Sequence, residues 1–231
     1  MESKRPRSSI TLVFNFIINQ NLLKCMTYKT AGCCWAFSAV AAIEALNQIK
    51  TGKLVSLSEQ ELVDCDTVLD AGCEGGLLDT AFDYITTHGG LNTEANYPYT
   101  ATDNTCNAKR ATVNYVSIHG HQDVPPNNEN ALLGAVLHQP VSVGIEGGGF
   151  DFQFYGGGVF EGECGIELDH AVTIIGFGVE EKDGNGNGNE YWLVKNSWGT
   201  KWGEEGFMRI KRGGGAKQGL CGIAMKPSYP I

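Results

Sequence analysis

The sequence predicts an α+β protein of two lobes, helix-rich over about residues 32–120 and strand-rich over about residues 121–231. Two observations predict this division. Apolar residues recur at helical spacing after Cys34, whereas the second half carries short apolar runs of strand length. A chain of 231 residues is long enough to bury one large core or two smaller ones.

The first lobe is predicted to contain three helices. The first begins at Cys34, and its apolar positions follow i, i+3, i+4 spacing. The second begins with a capping box, in which Ser58 caps the helix and Glu61 reaches back to the Ser58 N–H. The third spans residues 79–88 and ends at a pair of glycines.

The second lobe is predicted to be built from strands, with one short helix over Ala131–His138 that stops before Pro140. A glycine- and asparagine-rich stretch, Gly184–Asn189, is typical of a flexible hairpin tip. The predicted strands are Val141–Ile145, Ala171–Val179, Tyr191–Lys195 and Phe207–Lys211.

The charge of the chain is acidic and uneven. The net charge of −9 disfavours nucleic acid as a partner. Residues 1–31 carry five basic and one acidic side chain, whereas residues 32–231 carry 12 basic and 25 acidic ones. The first segment therefore differs in composition from the remainder.

Residues 1–31 leave alternatives open. Three basic residues precede the apolar run 10–18, as in a signal peptide. The run is too short to span a bilayer, so we expect no stable membrane span. Because Asn15 interrupts the run and no clear cleavage site follows, the segment is equally open to interpretation as an apolar strand or as sequence foreign to the domain.

Three short motifs contain residues suited to thiol chemistry. They read CWAFS from residue 34, DHA from residue 169 and NSWG from residue 196. Other ordered motifs are SEQELVDC from residue 58, GCEGG from 72, YPY from 97 and QPVSV from 139. Together they resemble the papain-like cysteine peptidases, close to the plant branch, over about residues 32–231. The resemblance implies a helical lobe facing a β-barrel-like lobe, with the active site in the cleft between them.

The resemblance implies a Cys-His-Asn mechanism. Cys34 would be the nucleophile, and its position at a helix start favours the thiolate. His170 would pair with it and later protonate the leaving amine, while Asn196 would orient the imidazole. Trp198 would shield the His170–Asn196 hydrogen bond from water.

The resemblance also places substrate-binding residues. Gly75 and Gly76 would let the substrate backbone approach closely. Gly144 should enlarge the pocket for the residue second from the scissile bond, and Lys226 is predicted either at the pocket floor or as an ordinary exposed lysine. The substrate-binding set is Gly75, Gly76, Leu77, Leu78, Gly144, Leu168, Asp169, Trp198 and Lys226.

The eight cysteines show no CxxC or Cys/His zinc spacing, which argues against a metal site, and no cofactor is expected. The resemblance implies two disulfides, Cys65–Cys106 and Cys164–Cys221. A third family bridge would join Cys73 to the residue three before the nucleophile. That residue is Ala31, so Cys73 is predicted to lack its partner.

A second departure concerns the oxyanion hole. The family uses a Gln side chain six residues before the nucleophile, and this position holds Tyr28. Gln20 lies fourteen residues before Cys34, which is too far to be equated with it. An oxyanion donor contributes about 10²–10³ in rate, so the resemblance predicts an impaired enzyme.

The predicted function is a cysteine-type endopeptidase that acts on peptide or protein substrates. The alternatives are a weak or inactive homologue that binds peptides, and a chain that does not fold stably. By resemblance, the protein is expected to be a monomer, to bind cystatin-type inhibitors and to reside outside the cell or in a vacuole or lysosome, where disulfides persist.

Overall fold

The computed structural model describes residues 8–13, 32–181 and 188–231, with the backbone alone at 8–13. The helices are α1 (Cys34–Thr51), α2 (Glu59–Cys65), α3 (Leu78–Thr87), α4 (Ala108–Ala111), α5 (Glu129–Val136) and α6 (Phe150–Gln153). The strands are β1 (Ser8–Val13), β2 (His121–Asp123), β3 (Val141–Ile145), β4 (Val159–Phe160), β5 (His170–Glu181), β6 (Gly188–Lys195), β7 (Phe207–Lys211) and β8 (Pro227–Pro230). Short 3₁₀ turns cover Gly72–Glu74 and Leu220–Gly222.

Helix α1 is buried on nearly every side over Trp35–Leu46. A helix that is apolar all round belongs in the interior of a protein. Accordingly, α1 packs against α2 and α3 on one side and against β3, β5 and β8 on the other. It ends at Gly52, whose left-handed backbone (φ 75°) lets its N–H bond the Gln48 carbonyl.

The capping box before α2 forms only in part. Ser58 Oγ accepts a hydrogen bond from the Glu61 N–H, as predicted. However, Glu61 Oε2 accepts from the Asn92 N–H at 2.9 Å, and the Ser58 N–H donates to the Asn92 carbonyl. The predicted return bond from Glu61 to Ser58 is wrong, because a neighbouring loop supplies both partners.

The strands form one open sheet in the order β2-β8-β3-β5-β6-β7-β4, not a closed barrel in the part of the chain described. Strand β5 is its centre. One edge of β5 pairs with β6, and the other pairs first with β3 and then with β1. Strands β3 and β7 have the predicted bounds, whereas β5 and β6 extend beyond their predicted ends.

Two clusters of buried apolar side chains give the molecule its two lobes. The first draws on residues 33–118 together with Ala171, and the second on residues 124–224. Each contains a tryptophan that is almost fully buried, Trp35 in the first and Trp192 in the second. The predicted α+β two-lobe architecture is therefore confirmed.

The predicted disulfides Cys65–Cys106 and Cys164–Cys221 are both present. Cys73 is disulfide-bonded as well, so the expectation that it lacks a partner is wrong.

The predicted helices over 79–88 and 131–138 correspond to α3 and α5, which begin one and two residues earlier. Residues 184–187 of the predicted hairpin tip lie outside the described residues, while Gly188 and Asn189 belong to β6. Within residues 1–31 only 8–13 are described, as the strand β1. Among the described helices, none is long and apolar enough to cross a bilayer.

Candidate active site

The Cys34 thiol lies at the start of α1, half-buried, where the two lobes meet. Its Sγ is 3.9 Å from the Gly32 carbonyl. The first backbone N–H groups of a helix have no intrahelical acceptor and carry its positive end. Cys34 therefore occupies a position that favours a thiolate.

His170 reaches Cys34 because α1 is fastened to the start of β5. One turn after Cys34, Ser38 Oγ donates to the Val172 carbonyl at 2.8 Å. The Ser38 carbonyl in turn accepts from Ser142 Oγ at 2.9 Å and from Thr173 Oγ1 at 3.2 Å. These bonds join the helical lobe to β3 and β5, and so hold the first residue of β5 against the helix start.

The backbone beside His170 has room only for glycine. A Cβ at Gly147 would lie 2.9 Å from His170 Cβ and 3.0 Å from its Cδ2. The Gly147 and Gly148 N–H groups instead bond the Asp169 carboxylate at 2.7 and 3.1 Å. Asp169 thereby orients this loop next to the histidine.

Asn196 fixes the tautomer of His170. Its Oδ1 accepts from the Ser197 N–H at 2.7 Å and lies 2.8 Å from His170 Nε2. The Ser197 backbone N–H can only donate, so the Asn196 side-chain atom beside it must be the amide oxygen. Because that oxygen can only accept, His170 Nε2 must carry a proton. The other ring nitrogen, Nδ1, is left for the thiol of Cys34.

An aromatic layer covers this hydrogen bond. The Trp198 ring stacks on His170 with centroids 4.9 Å apart and an interplanar angle of 28°. Phe152 and Trp202 then meet Trp198 edge to face at 5.4 and 5.1 Å. Burial strengthens the bond, since water cannot compete for Asn196 Oδ1.

The two reactive groups shift each other's pKa in the directions that peptide hydrolysis needs. Burial opposes ionisation of Cys34, but its hydrogen bond to His170 and the His170 charge outweigh this and lower the thiol pKa. Burial likewise opposes the charged form of His170, but Cys34 and then Asn196 and Asp169 raise the imidazole pKa. The pair is therefore biased towards thiolate and imidazolium.

Cys33, the neighbouring cysteine, is chemically distinct. It is buried, and its Sγ lies 2.6 Å from the Tyr99 hydroxyl. Burial is the main cause that raises its pKa to about 12, and the Cys34 charge adds to the rise. The two adjacent thiols thus differ sharply in acidity.

Gly76 lies against Trp35, the residue after the thiol, and Gly75 precedes it in the chain. Gly75 has φ 126°, which other residues rarely adopt. A Cβ at Gly76 would lie 2.5 Å from Trp35 Cδ2, and the Trp35 indole N–H donates to the Gly72 carbonyl at 3.0 Å. The two glycines therefore form a side-chain-free segment, here called the glycine wall, beside the residue that follows Cys34.

The predicted pocket residues are only partly brought together. A Cβ at Gly144 would lie 3.3 Å from Leu168 Cδ1, and one at Gly222 would lie 2.8 Å from Leu168 Cδ2 and 3.0 Å from Met225 Sδ. Leu77 is 56% exposed, whereas Leu78 packs in the core of the helical lobe. Lys226 is exposed.

Sequence reasoning missed several residues that build the site. They are Ser38, Asp70, Gly147 and Met225. The positions of Ser38 and Gly147 beside known motifs offered a weak signal, since small residues mark close approach of backbones. Met225 carries no such signal, because Leu168 and Met225 come to lie beside the same glycine, Gly222, only in the fold.

Gln20, Tyr28 and Ala31, on which the two predicted departures from the family depend, lie outside the described residues. One described group has the donor atoms to hold a metal ion: Asp79, His121 and Asp123, with atoms within 4.8 Å of one another. It lies on α3 and β2, on residues that take no part in the Cys34–His170 arrangement.

The chain has clear relatives. The model of the papain family cysteine proteases matches residues 18–231, so the match begins before the motif boundary at residue 32. The senescence-specific cysteine protease SAG12 of Arabidopsis thaliana is 65% identical over 201 residues, covering 87% of this chain and 56% of the relative. Vignain of Ricinus communis is 60% identical over 200 residues, covering 87% and 54%. The chain thus spans about half the length of these curated relatives.

Solved structures agree with this relationship. The bromelain protease of Ananas comosus, in complex with the E64 inhibitor, superposes with a TM-score of 0.81 at 41% identity. The superposition covers 96% of this chain and 94% of bromelain. The chain belongs to the papain family of cysteine proteases.

Proposed function

We propose that this chain is a cysteine-type endopeptidase, with Cys34, His170 and Asn196 as its catalytic residues. The observation that carries the proposal is the hydrogen bond from His170 Nε2 to Asn196 Oδ1, which leaves Nδ1 for the Cys34 thiol. The opposite pKa shifts of Cys34 and His170 support it.

The reaction follows from this pair. The Cys34 thiolate attacks the peptide carbonyl carbon, and the resulting oxyanion is met by the unpaired N–H groups at the start of α1. His170 then gives its Nδ1 proton to the leaving amine, the C–N bond breaks and a thioester remains. Water, deprotonated by the now neutral His170, hydrolyses the thioester and restores the thiol.

Substrate would bind along the glycine wall. Gly75 and Gly76 offer backbone groups without side chains beside Trp35, the residue after Cys34, which suits pairing with an extended peptide. The side chain second from the scissile bond would enter the space beside Gly144 and Leu168. Because Leu168 is apolar, we expect apolar side chains to be preferred.

We further propose peptide or protein substrates, inhibition by cystatin-type proteins, a monomeric state and an extracellular, vacuolar or lysosomal location. The two disulfides support an oxidising compartment. Size-exclusion chromatography of the purified chain and fractionation of the source tissue test the last two points.

Hydrolysis of a fluorogenic peptide amide tests the function. We expect thiol-dependent hydrolysis by the full chain and a loss of about 10⁴-fold or more in Cys34→Ala, with Cys33→Ala as the matched control that retains activity. Peptide binding without hydrolysis in the unmodified chain would instead support the alternative of an inactive, peptide-binding homologue.

A further inference from the structure

Two buried carboxyl groups lie behind the glycine wall. Asp66, the residue that ends α2, is 5% exposed, and Asp70 in the following loop is 6% exposed. Asp66 Oδ2 is buried and has no hydrogen-bond partner. The Asp66 and Asp70 carboxyl groups lie within hydrogen-bonding reach of each other, and two carboxylates cannot share a buried contact unless a proton lies between them. A proton on Asp66 turns this carboxyl into a donor that Asp70 can accept, which removes the repulsion between the two groups.

Asp70 connects the acid pair to the wall. Its Oδ1 accepts from the Leu77 N–H at 2.8 Å, and its Oδ2 accepts from Thr80 Oγ1 at 2.6 Å. A Cβ at Gly76 would lie 2.8 Å from the same Oδ1 and 2.5 Å from Trp35. Gly76 is therefore held between Asp70 and the tryptophan that follows the nucleophile.

The surroundings of Asp66 are acidic. Burial is the main cause that raises its pKa to about 7, followed by the charge and hydrogen bond of Asp70 and the charge of Asp83. From α3, the Tyr84 side chain also faces this group. Burial and the charges of Asp70 and Asp83 favour the protonated form of Asp66.

We propose that Asp66 and Asp70 share one proton and act as a positioning pair, which holds Gly75–Leu77 in place for substrate. While the proton is present, Asp66 donates to Asp70, and Asp70 keeps its bonds to Leu77 and Thr80. When the proton is lost, the two carboxylates repel each other, and the hydrogen bonds that Asp70 accepts from Leu77 and Thr80 weaken. This pair acts on substrate binding rather than on the reacting atoms.

The activity test rests on the proposed function. In the unmodified chain, KM for a peptide amide should rise by about 2- to 10-fold above about pH 7, because one hydrogen bond that positions the glycine wall is weakened. The change in kcat that accompanies this rise should be small. Asp66→Asn keeps a donor for Asp70 at every pH, so its KM should not rise. The control variant Asp83→Asn also removes one negative charge, but from a residue outside the pair. In Asp83→Asn the rise in KM should still occur, but at lower pH, because loss of the Asp83 charge lowers the Asp66 pKa.

A stability measurement tests the pair without any activity. The native pKa of Asp66 is raised above the unfolded value, so the native state loses stability through this group as pH rises from about 4 to about 7, and no further above that. The difference in Tm between Asp66→Asn and the unmodified chain should therefore grow over this range and then level off. Taking the difference between the two Tm curves cancels the contributions of other groups that titrate in this pH range, such as Glu44 and Glu61.

The two measurements separate the possible failures. A Tm difference that is constant with pH would overturn the shared proton. The Tm difference could depend on pH while KM rises equally in Asp66→Asn and in the unmodified chain. That result would overturn the role of the pair in positioning the glycine wall. If the chain shows no hydrolysis, the proposed endopeptidase function fails, and the Tm series still decides whether Asp66 holds its proton above its unfolded pKa, which the shared proton requires.

Discussion

Removal of the Asn196 side chain offers the most direct test of the site. Asn196 Oδ1 holds His170 Nε2 at 2.8 Å and the Ser197 N–H at 2.7 Å, while its Nδ2 has no partner. Asn196→Ala therefore removes one bond to the imidazole and one to the backbone. A hydrogen bond to a charged group contributes about 1.5–3 kcal/mol, which corresponds to a loss of about 10- to 150-fold in kcat/KM.

The same substitution should change the pH profile. The Asn196 bond helps to raise the His170 pKa, so its loss lowers that pKa. The alkaline limb, where the imidazolium loses its proton, should move to lower pH. Asn196→Asp is the matched control, because a carboxylate still accepts both bonds and adds a negative charge. It should move the limb to higher pH and recover part of the rate.

The assay is hydrolysis of a fluorogenic peptide amide from pH 4 to pH 10, with thermal unfolding to establish that each variant is folded. The rate of Cys34 alkylation by iodoacetamide follows the thiolate independently of hydrolysis. If Asn196→Ala is folded and keeps both the kcat/KM and the alkaline limb of the unmodified chain, the Nε2–Oδ1 bond does not orient His170, and the tautomer assignment is wrong.

Limiting iodoacetamide should label Cys34 before Cys33, because the Cys34 pKa is lowered and that of Cys33 is raised to about 12; peptide mapping that finds Cys33 labelled first would contradict the assignment. The oxyanion donor can be identified from kcat, since the family match includes both Gln20 and Tyr28. If Tyr28 occupies the donor position, Tyr28→Gln should raise kcat by up to about 100-fold; a loss of similar size in Gln20→Ala, without a gain in Tyr28→Gln, would assign the donor to Gln20. In a series of peptide amides with Leu, Phe, Glu or Arg second from the scissile bond, Leu and Phe should give the highest kcat/KM. Because Lys226 is exposed, Lys226→Ala should leave the Glu-to-Arg ratio unchanged; a changed ratio would place its charge in the pocket.

The elements predicted best from the sequence are those whose pattern is local. Strands β3 and β7 have the predicted bounds, since each is a short segment with apolar residues at alternate positions. The helix that starts at Cys34 was predicted from apolar spacing, and burial of Trp35–Leu46 agrees with that pattern. The two disulfides and the positions of Cys34, His170 and Asn196 were predicted from motifs that occur in the family's order along the chain. That order can be recognised without knowing any distance in the folded protein.

Tertiary structure decided what depends on residues far apart in the chain. Glu61 bonds the Asn92 N–H rather than its own helix start, because a loop thirty-one residues away presents a better donor. Leu168 lies beside Gly222, and so near Met225, only because the fold brings the loop before β5 to the turn over Leu220–Gly222. The Asp66–Asp70 pair has the same origin: single aspartates in a loop predict solvent exposure, and only burial behind Gly76 forces them to share a proton. The sequence by itself therefore determined which residues carry the chemistry, whereas the packing of the two lobes decided their acidity, because desolvation and charge contacts depend on neighbours that spacing along the chain does not reveal.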